Sequence, residues 1–410
     1  MSLPTARRPH LEVADICRGE AVTFLKDHRL SMEQRRVFAD LQGCRTAVMG
    51  GHVRACNRCE HREISYNSCR NRHCPKCQAS ARADWLQARE AELLPIPYFH
   101  IVFTLPAEVA ALALQNKRLL YGMLFQAARE ALSEVAARKL GVAQLGILAV
   151  LHTWGQNLMH HPHLHCVVSG GGLSQDAERW IASREDYFLP VRLLSYVFRQ
   201  KYGRLLRQAF QRGELEFHGQ LAPLSQPSAF RKFLAAATGR DWVVFAKRPF
   251  REPACVLKYL ARYTHRVAIS NRRLVAYRNG SVTFRYRDYA RQGRRRTMTL
   301  AAGEFLRRFL LHVLPTGFMR IRHYGYLANR HRHEKLAICR RLLECELPGP
   351  APADPQNQQT NSSTAAETET AIACPACRQG QLEVQETFER QPRGCLPLPP
   401  AAHVPWQDSS

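Results

Sequence analysis

The stretch His161-Pro162-His163-Leu164-His165-Cys166-Val167-Val168 sets two histidines on either side of one apolar residue, ahead of a β-branched pair. On an extended strand alternate side chains share a face, so His163 and His165 would lie together while Leu164 points into a core. Two imidazoles on one face of a strand are candidate ligands for a divalent metal ion. The alternative is that both histidines are structural or lie on the surface, and this motif alone does not decide between the two.

A second motif, Lys258-Tyr259-Leu260-Ala261-Arg262-Tyr263, carries two tyrosines four positions apart. On a helix such residues lie one turn above each other, so Tyr259 and Tyr263 would point the same way. Tyrosines at this spacing commonly pack in a core, which is the alternative to a chemical role. In a chemical role, two phenols on one face of a helix would be interchangeable candidate nucleophiles.

A third metal ligand is expected from the strand that ends at Trp154, because this strand and the histidine strand flank a short polar turn. If the turn is centred on residues 157 and 158, positions whose numbers sum to about 315 face one another across the hairpin. That register places His152 opposite His163. The register of so polar a turn could slip, which leaves three rivals for the third position: Gln156, His160 and His161.

A cysteine-rich span from Cys44 to Gln78 predicts zinc. It contains two Cys-x-x-Cys pairs whose spacing allows four thiolates to converge on one structural zinc ion: Cys56, Cys59, Cys74 and Cys77. Four further residues in the span could hold a second zinc, or could be ordinary residues and hydrogen-bond donors behind the ligands: Cys44, His52, Cys69 and His73. The span is too polar to fold around an apolar core, so metal must supply much of its stability.

The charge of the chain favours a polyanionic partner. The 410 residues carry a net charge of +25, and the segment 247–341 alone holds 24 Lys and Arg against 4 Asp and Glu. Its arginines alternate with Phe284, Tyr286 and Tyr289, a mixture of phosphate contacts and stacking surfaces that is typical of single-stranded DNA binding. The expected DNA contacts are Arg262, Arg285, Arg287, Arg294, Arg295 and Arg296. The alternative is that Val282, Phe284 and Tyr286 form the packed face of a hairpin strand.

Several features limit the cellular setting and the cofactors. There is no signal-peptide core at the start of the chain and no run of eighteen apolar residues, so we expect a soluble cytoplasmic protein without a membrane partner. In a reducing cytosol the 14 cysteines indicate metal ligands before disulfides. The sequence lacks a Gly-Lys-Ser/Thr phosphate loop, so no nucleotide cofactor is expected, and Gly170-Gly171-Gly172 is interpreted as a flexible exit from the sheet near the DNA.

The expected organisation, in chain order, is a helical segment (1–43), a zinc-binding module with a connecting helix (44–94), a catalytic domain (95–270) with a helical insertion at about 190–240, a basic DNA-binding part (271–346), a disordered linker (347–370) and a tail (371–410). The tail contains Cys374-Pro375-Ala376-Cys377, which is half a zinc site. Candidates to complete it are Cys395, His403, or Cys339 together with Cys345; the alternative is a tail without metal.

The motifs resemble those of the HUH endonucleases, which cut single-stranded DNA. That superfamily combines an apolar strand ending Phe-Thr-Leu, a His-hydrophobic-His strand and a Tyr-x-x-Lys-Tyr helix; here Phe103-Thr104-Leu105 matches the first, and Arg262 replaces the lysine. More narrowly, the strings SYNSCRNRHCPKCQ, LHTWGQNLMHHPHLHCVVSGGGLS, KYLARYTHRVAISNRRL and RRFLLHVLPTGFMRIRHYGYLANRHR resemble transposases of the insertion-sequence-91 family, over roughly residues 10 to 345.

The resemblance implies an α+β protein with an HUH core, an antiparallel sheet flanked by helices, preceded by a zinc-binding module. It further implies a bacterial, nucleoid-associated two-tyrosine transposase that uses Mg or Mn to cleave and rejoin the single-stranded DNA of element ends and target through a 5'-phosphotyrosine. Two alternatives stay open at this stage: a rolling-circle replication initiator, and a zinc-finger DNA-binding protein without catalysis.

Overall fold

A computed structural model describes residues 11–78, 89, 92–184, 188–250, 267–288, 293–344 and 372–391. The chain divides into two compact units: the first unit comprises Met1–Gln78 and Asp354–Ser410, and the second unit comprises Ala79–Ala353. Within the described ranges no helix is both long and apolar enough to cross a membrane.

The described helices are α1 (Val13–Gly19), α2 (Ala21–Asp27), α3 (Met32–Gly43), α4 (Ala107–Gln115), α5 (Lys117–Leu140), α6 (Val191–Gln211), α7 (Pro227–Thr238), α8 (Ala302–Leu311) and α9 (Arg332–Leu342). The described strands are β1 (Gly51–Cys56), β2 (Arg62–Tyr66), β3 (Tyr98–Thr104), β4 (Gln144–Trp154), β5 (His160–Leu173), β6 (Trp180–Ala182), β7 (Val244–Phe250), β8 (Leu274–Arg278), β9 (Ser281–Asp288), β10 (Arg294–Ala301), β11 (Ile321–Gly325), β12 (Ile372–Ala373) and β13 (Gln381–Phe388).

The first unit combines the N-terminal helices with a four-stranded sheet of order β12-β13-β1-β2. Helix α3 begins at a capping box in which the Ser31 hydroxyl accepts from the backbone N–H of Gln34. The helices bury a small apolar core that includes Ile16, Phe24 and Phe38.

Part of the segment expected as a tail (371–410) belongs to this sheet, through β12 and β13. Strand β13 pairs with β1 along its whole length, from Gly51 opposite Phe388 to Cys56 opposite Leu382. The other edge of β1 is taken by β2. Because an unpaired strand edge leaves backbone N–H and C=O groups without partners, β13 completes a strand that would otherwise be exposed. The linker expected at 347–370 lies outside the described residues.

The second unit is built on an antiparallel sheet of order β11-β4-β5-β3-β7, with β6 paired to β5. One face of it buries alternate residues such as Phe103, Ile147 and Leu164 against α5, α6 and α7, which form the main core. The opposite face carries a smaller cluster around Tyr98, Leu148 and α9. The prediction of an α+β fold with an antiparallel sheet flanked by helices is confirmed.

The basic part expected at 271–346 contributes to both sheets of the second unit. Strand β11 pairs with β4, from Ile321 opposite Val150 to Gly325 opposite Gly146, and so supplies one edge strand of the main sheet. Strands β8, β9 and β10 form a separate three-stranded sheet whose Phe284 is fully buried and lies 5.8 Å from Phe305 of α8, centroid to centroid. Phe284 is therefore a packing residue, as the hairpin alternative predicted, and is not available to stack on a base.

The three glycines from Gly170 to Gly172 are not a flexible exit from the sheet, because they lie inside β5 and are buried. A Cβ atom at Gly170 would come 2.8 Å from the carbonyl oxygen of Pro97, and one at Gly171 would come 2.6 Å from that of Ile181. These glycines allow neighbouring backbone to approach β5 where any side chain would collide with it.

Candidate metal centre and nucleic-acid surface

Three histidines converge at one end of the main sheet of the second unit. His152 of β4 is paired with His163 of β5, and His165 follows two residues later on the same face. The ring centroids of His152 and His165 are 4.5 Å apart, and those of His163 and His165 are 4.9 Å apart. One ring nitrogen from each residue lies within 4.8 Å of the other two, so the three could hold a metal ion together.

The turn between β4 and β5 fixes this register. The backbone N–H of Gly155 donates to the carbonyl of Met159 at 2.9 Å, and Leu158 adopts a positive φ of 63° while its side chain is fully buried. A buried apolar side chain at the turn opposes slippage of the hairpin, because a shift of one residue would expose it. The pairing of His152 with His163 is the one predicted from the sequence.

The rival third ligands have other roles. The Nε2 atom of His160 lies 2.7 Å from the hydroxyl of Tyr121, away from the three-histidine group. His161 is exposed, and its carbonyl accepts a hydrogen bond of 2.7 Å from Nδ1 of His163. The carbonyl of Gln156 accepts from Arg273. Only His152 therefore joins His163 and His165.

A fourth histidine, His100 of β3, orients the group and was missed in the sequence. Its Nε2 atom lies 2.9 Å from Nδ1 of His165, and its side chain is 3% exposed. Burial, with the charge of Lys247 as a smaller cause, lowers the pKa of His100 to about 4. Strand pairing places it there: Val102 of β3 faces His165 of β5, and His100 is two residues from Val102 on the same face.

Hydrogen bonds orient both motif histidines. Nδ1 of His163 donates to the backbone carbonyl of His161, and Nδ1 of His165 lies 2.9 Å from Nε2 of His100. Three imidazoles are a donor set that fits a divalent metal ion and leaves coordination positions for other ligands.

Eight cysteines of the first unit form two clusters of four, and both clusters differ from the predicted tetrad. The first cluster comprises Cys44, Cys69, Cys74 and Cys77. The second cluster comprises Cys56, Cys59, Cys374 and Cys377. The prediction that Cys56 and Cys59 share one zinc with Cys74 and Cys77 is therefore corrected, because the structure gives the two pairs different partners.

The β1–β2 hairpin explains why the two pairs are separated. Gly51 faces Tyr66 at the open end of the hairpin, and Cys56 lies at its closed end. Five steps along a strand at roughly 3.3 Å each put the two ends about 16 Å apart. Cys44 and Cys69 flank the open end in sequence, where Cys74 and Cys77 can reach them, whereas Cys56 and Cys59 lie at the turn.

The remaining candidate zinc ligands lie outside both clusters. His52 is the second residue of β1, opposite Ser65 and Thr387, and His73 is a buried residue next to Cys74 of the first cluster in sequence. Cys339, a candidate partner for Cys374 and Cys377, is buried in α9 of the second unit beside Leu336. Cys345, Cys395 and His403 lie outside the described residues.

One cysteine of the second cluster has an environment suited to a thiolate. The backbone N–H groups of Gln379 and Gly380 lower the pKa of Cys377 to about 6. A thiolate is the form of cysteine that binds metal, so these donors prepare the sulfur for an ion.

The expected nucleophiles Tyr259 and Tyr263, and Arg262 between them, lie outside the described residues. Among the other expected DNA contacts, Arg285 and Arg287 of β9 and Arg294, Arg295 and Arg296 of β10 are all exposed. Arg295 pairs directly with Arg287, which concentrates positive charge on one face of this sheet. Arg296 forms an ion pair of 3.5 Å with Asp288. The arginine face defined by Arg285, Arg287 and Arg295 is the stronger candidate for phosphate contact.

The chain is similar to known transposases. A family described as "Putative transposase" matches residues 146–335, and one described as "Transposase zinc-binding domain" matches residues 16–105. A relative described as "Putative transposase y4qJ", from Sinorhizobium fredii (strain NBRC 101917 / NGR234), is 52% identical over 381 residues, which cover 92% of this chain and 96% of the relative. The "Transposase for insertion sequence element IS801" of Pseudomonas savastanoi pv. phaseolicola is 31% identical over 325 residues, which cover 75% of this chain and 74% of the relative. No solved structure matches the chain.

Proposed function

Because the chain belongs to the insertion-sequence-91 family of transposases, we propose that it cleaves and rejoins single-stranded DNA at the ends of its element through a covalent 5'-phosphotyrosine. The observation that carries the proposal is the convergence of His152, His163 and His165 on one face of the sheet. A protein that only bound DNA would need no such group of imidazole nitrogens.

The histidines would hold a divalent ion, Mg or Mn, through one ring nitrogen each of His152, His163 and His165. When bound, the ion would polarise a non-bridging oxygen of the scissile phosphate and offset the charge that develops during attack. His100 and the carbonyl of His161 contact the two motif rings and would fix their orientation toward the ion.

Tyr259 and Tyr263 are the proposed nucleophiles. A phenol has an ordinary pKa near 10, so the attacking tyrosine must lose its proton as it bonds to phosphorus. The new bond joins the tyrosine oxygen to phosphorus, and the bond from phosphorus to the 3' oxygen breaks. That oxygen leaves as a 3'-hydroxyl, and the DNA keeps a 5'-phosphotyrosine. Since the phosphoester is conserved, a later 3'-hydroxyl can reverse the step without ATP.

Two tyrosines would allow one strand to be held while a second is cut, so Tyr259 and Tyr263 would act in turn. The arginine face of β9 and β10 would bind the phosphates of the single strand, since Arg285, Arg287 and Arg295 are exposed. The first unit would contribute a zinc-stabilised surface for the element ends, which agrees with its match to a transposase zinc-binding domain.

The test is cleavage of oligonucleotides that carry an end of the element, offered as single strands and as duplexes with Mg, Mn or a chelator. We expect cutting of the single strand only, and only with metal. His163→Ala and His165→Ala should abolish it, whereas His160→Gln, which changes a neighbouring histidine outside the group, should keep it. Equal cutting of duplex DNA, or full activity of both alanine variants, would contradict the proposal.

A further inference from the structure

The C-terminal pair Cys374 and Cys377 lies far outside the matched zinc-binding domain, yet it completes a cluster with Cys56 and Cys59. The thiols Cys56 and Cys377 approach to 3.7 Å between Sγ atoms, and so do Cys59 and Cys374. A tetrahedral zinc with bonds of about 2.3 Å to sulfur would hold neighbouring sulfurs about 3.8 Å apart. The four sulfurs therefore already have the spacing that zinc requires.

The two pairs are presented by similar turns. The backbone N–H of Arg58 donates to Sγ of Cys56 at 3.3 Å, and the backbone N–H of Gly380 donates to Sγ of Cys377 at 3.3 Å. Such amide donors stabilise negative charge on sulfur. Gly380 is required at its position, because a Cβ atom there would collide with Sγ of Cys56.

Hydrogen bonds also join the two turns to each other. The backbone N–H of Asn57 donates to the carbonyl of Gln381 at 3.0 Å, and the backbone N–H of Gln381 donates to the side-chain oxygen of Asn57 at 3.0 Å. The Asn57 side chain also donates to Glu383 at 2.9 Å. Reciprocal bonds of this kind fix the distance between the two turns and so between the two cysteine pairs.

The apolar cluster around the site is too small to hold the strands together. Its buried members are Cys56, Cys374 and Leu382, with Cys59 and Cys377 packed against them. Leu382 is the one member that is not a cysteine. Burial of one leucine contributes about 2 kcal/mol, which does not offset the ordering of two turns and three strands. A metal ion bound by the four cysteines would supply stability that this small apolar cluster does not.

We propose that Cys56, Cys59, Cys374 and Cys377 bind a second structural zinc ion, which joins the C-terminal segment 372–391 to the N-terminal module. The zinc-binding module is thus built from both ends of the chain, and it closes only after the C-terminal strand has been made. The first cluster, whose four cysteines all lie within residues 16–105, needs no residue from the C-terminal end.

Metal analysis of the purified full chain tests this inference. We expect two equivalents of zinc for the unchanged protein, and one for the double variant Cys374→Ser with Cys377→Ser. The double variant Cys56→Ser with Cys59→Ser should also keep one. Cys395→Ser is the matched control, since it changes another C-terminal cysteine and should leave both zinc ions. An unchanged zinc content in the Cys374, Cys377 variant would overturn the assignment.

A second measurement does not depend on how well the variants fold. A recognition site for a specific protease is placed within residues 354–371, between the second unit and β12, and the native protein is cut there. The C-terminal fragment should co-elute with the rest of the chain and should be released by a zinc chelator. A fragment that separates without chelator, or that stays bound after both zinc ions are removed, contradicts the inference. Neither the zinc content nor the release of the fragment depends on DNA cleavage. This inference can therefore fail without contradicting the proposed activity, and the reverse is also true.

Discussion

Nε2 of His100 lies 2.9 Å from Nδ1 of His165, a side-chain contact between two strands of the main sheet. The His100 ring is almost parallel to that of His165, with 10° between the planes and 5.1 Å between the centroids. Since β3 and β5 are paired neighbours in the sheet, backbone pairing holds the two rings in place. His100 is therefore a positioning residue that acts through His165.

Loss of this contact should weaken metal binding. We expect His100→Ala to lower the affinity for Mn by roughly 10–100-fold, the range seen when the hydrogen-bond partner of a metal ligand is removed. His100→Gln should recover part of the loss, because an amide can still bond to Nδ1. The measurement is Mn binding to the protein without DNA. His218→Ala, which removes an exposed ring, is the control. Equal Mn affinity in the alanine variant and the unchanged protein would rule out the positioning role.

The arginine face should control the salt dependence of single-stranded DNA binding. Each phosphate neutralised on a single strand contributes about 0.7 to the slope of log affinity against log salt. The triple change Arg285→Ala, Arg287→Ala and Arg295→Ala should therefore flatten the slope by about 2. Arg138→Ala, at the exposed end of α5, should leave it unchanged. If the triple variant and Arg138→Ala both show the salt slope of the unchanged chain, the DNA does not contact the arginine face.

Buried His312 should make stability depend on pH. Its Nε2 donates to the carbonyl of Leu158 at 3.1 Å, and Thr153 lies 3.2 Å from its Nδ1. Burial, more than the nearby charge of His160, lowers its pKa from 6.5 to about 3. Below pH 6.5 the unfolded chain takes up a proton that the folded chain does not bind until about pH 3. The contribution of His312 to the free energy of unfolding is thus fully present above pH 6.5, and it is lost as the pH falls towards about 3.

This loss can be measured by urea unfolding at pH 7 and at pH 5. For one such ring the free energy of unfolding should fall by about 2 kcal/mol between the two values. His312→Gln should lower stability at pH 7 and show a smaller decrease towards pH 5, whereas His218→Gln should match the unchanged protein. A decrease of the same size in His312→Gln would mean that His312 is already charged or exposed.

The parts of the site that could be predicted from sequence are those with local causes. The pairing of His152 with His163 follows from a short hairpin, because its register depends on one turn and on strand alternation. His100 needed knowledge of which strands are neighbours, which sequence periodicity does not give. The basic segment was evident from its charge, but the burial of Phe284 depends on packing against Phe305.

The cysteines show where sequence reasoning fails. Any Cys-x-x-Cys pair can share a zinc with any other, so spacing along the chain cannot distinguish near partners from distant ones. The structure groups Cys56 with Cys377 because β1 pairs with β13, more than 300 residues later in the chain. A contact of that sequence separation has no local signature.

Covalent capture of DNA tests the central claim most directly. A labelled single strand that carries an element end is incubated with the protein and Mn, denatured, and analysed for label on the protein. We expect attachment that survives denaturation, with partial attachment for Tyr259→Phe and for Tyr263→Phe and none for the double variant. Peptide mapping of the adduct should identify Tyr259 or Tyr263. Attachment that persists in the double variant would show that another residue attacks, and would contradict the two-tyrosine account.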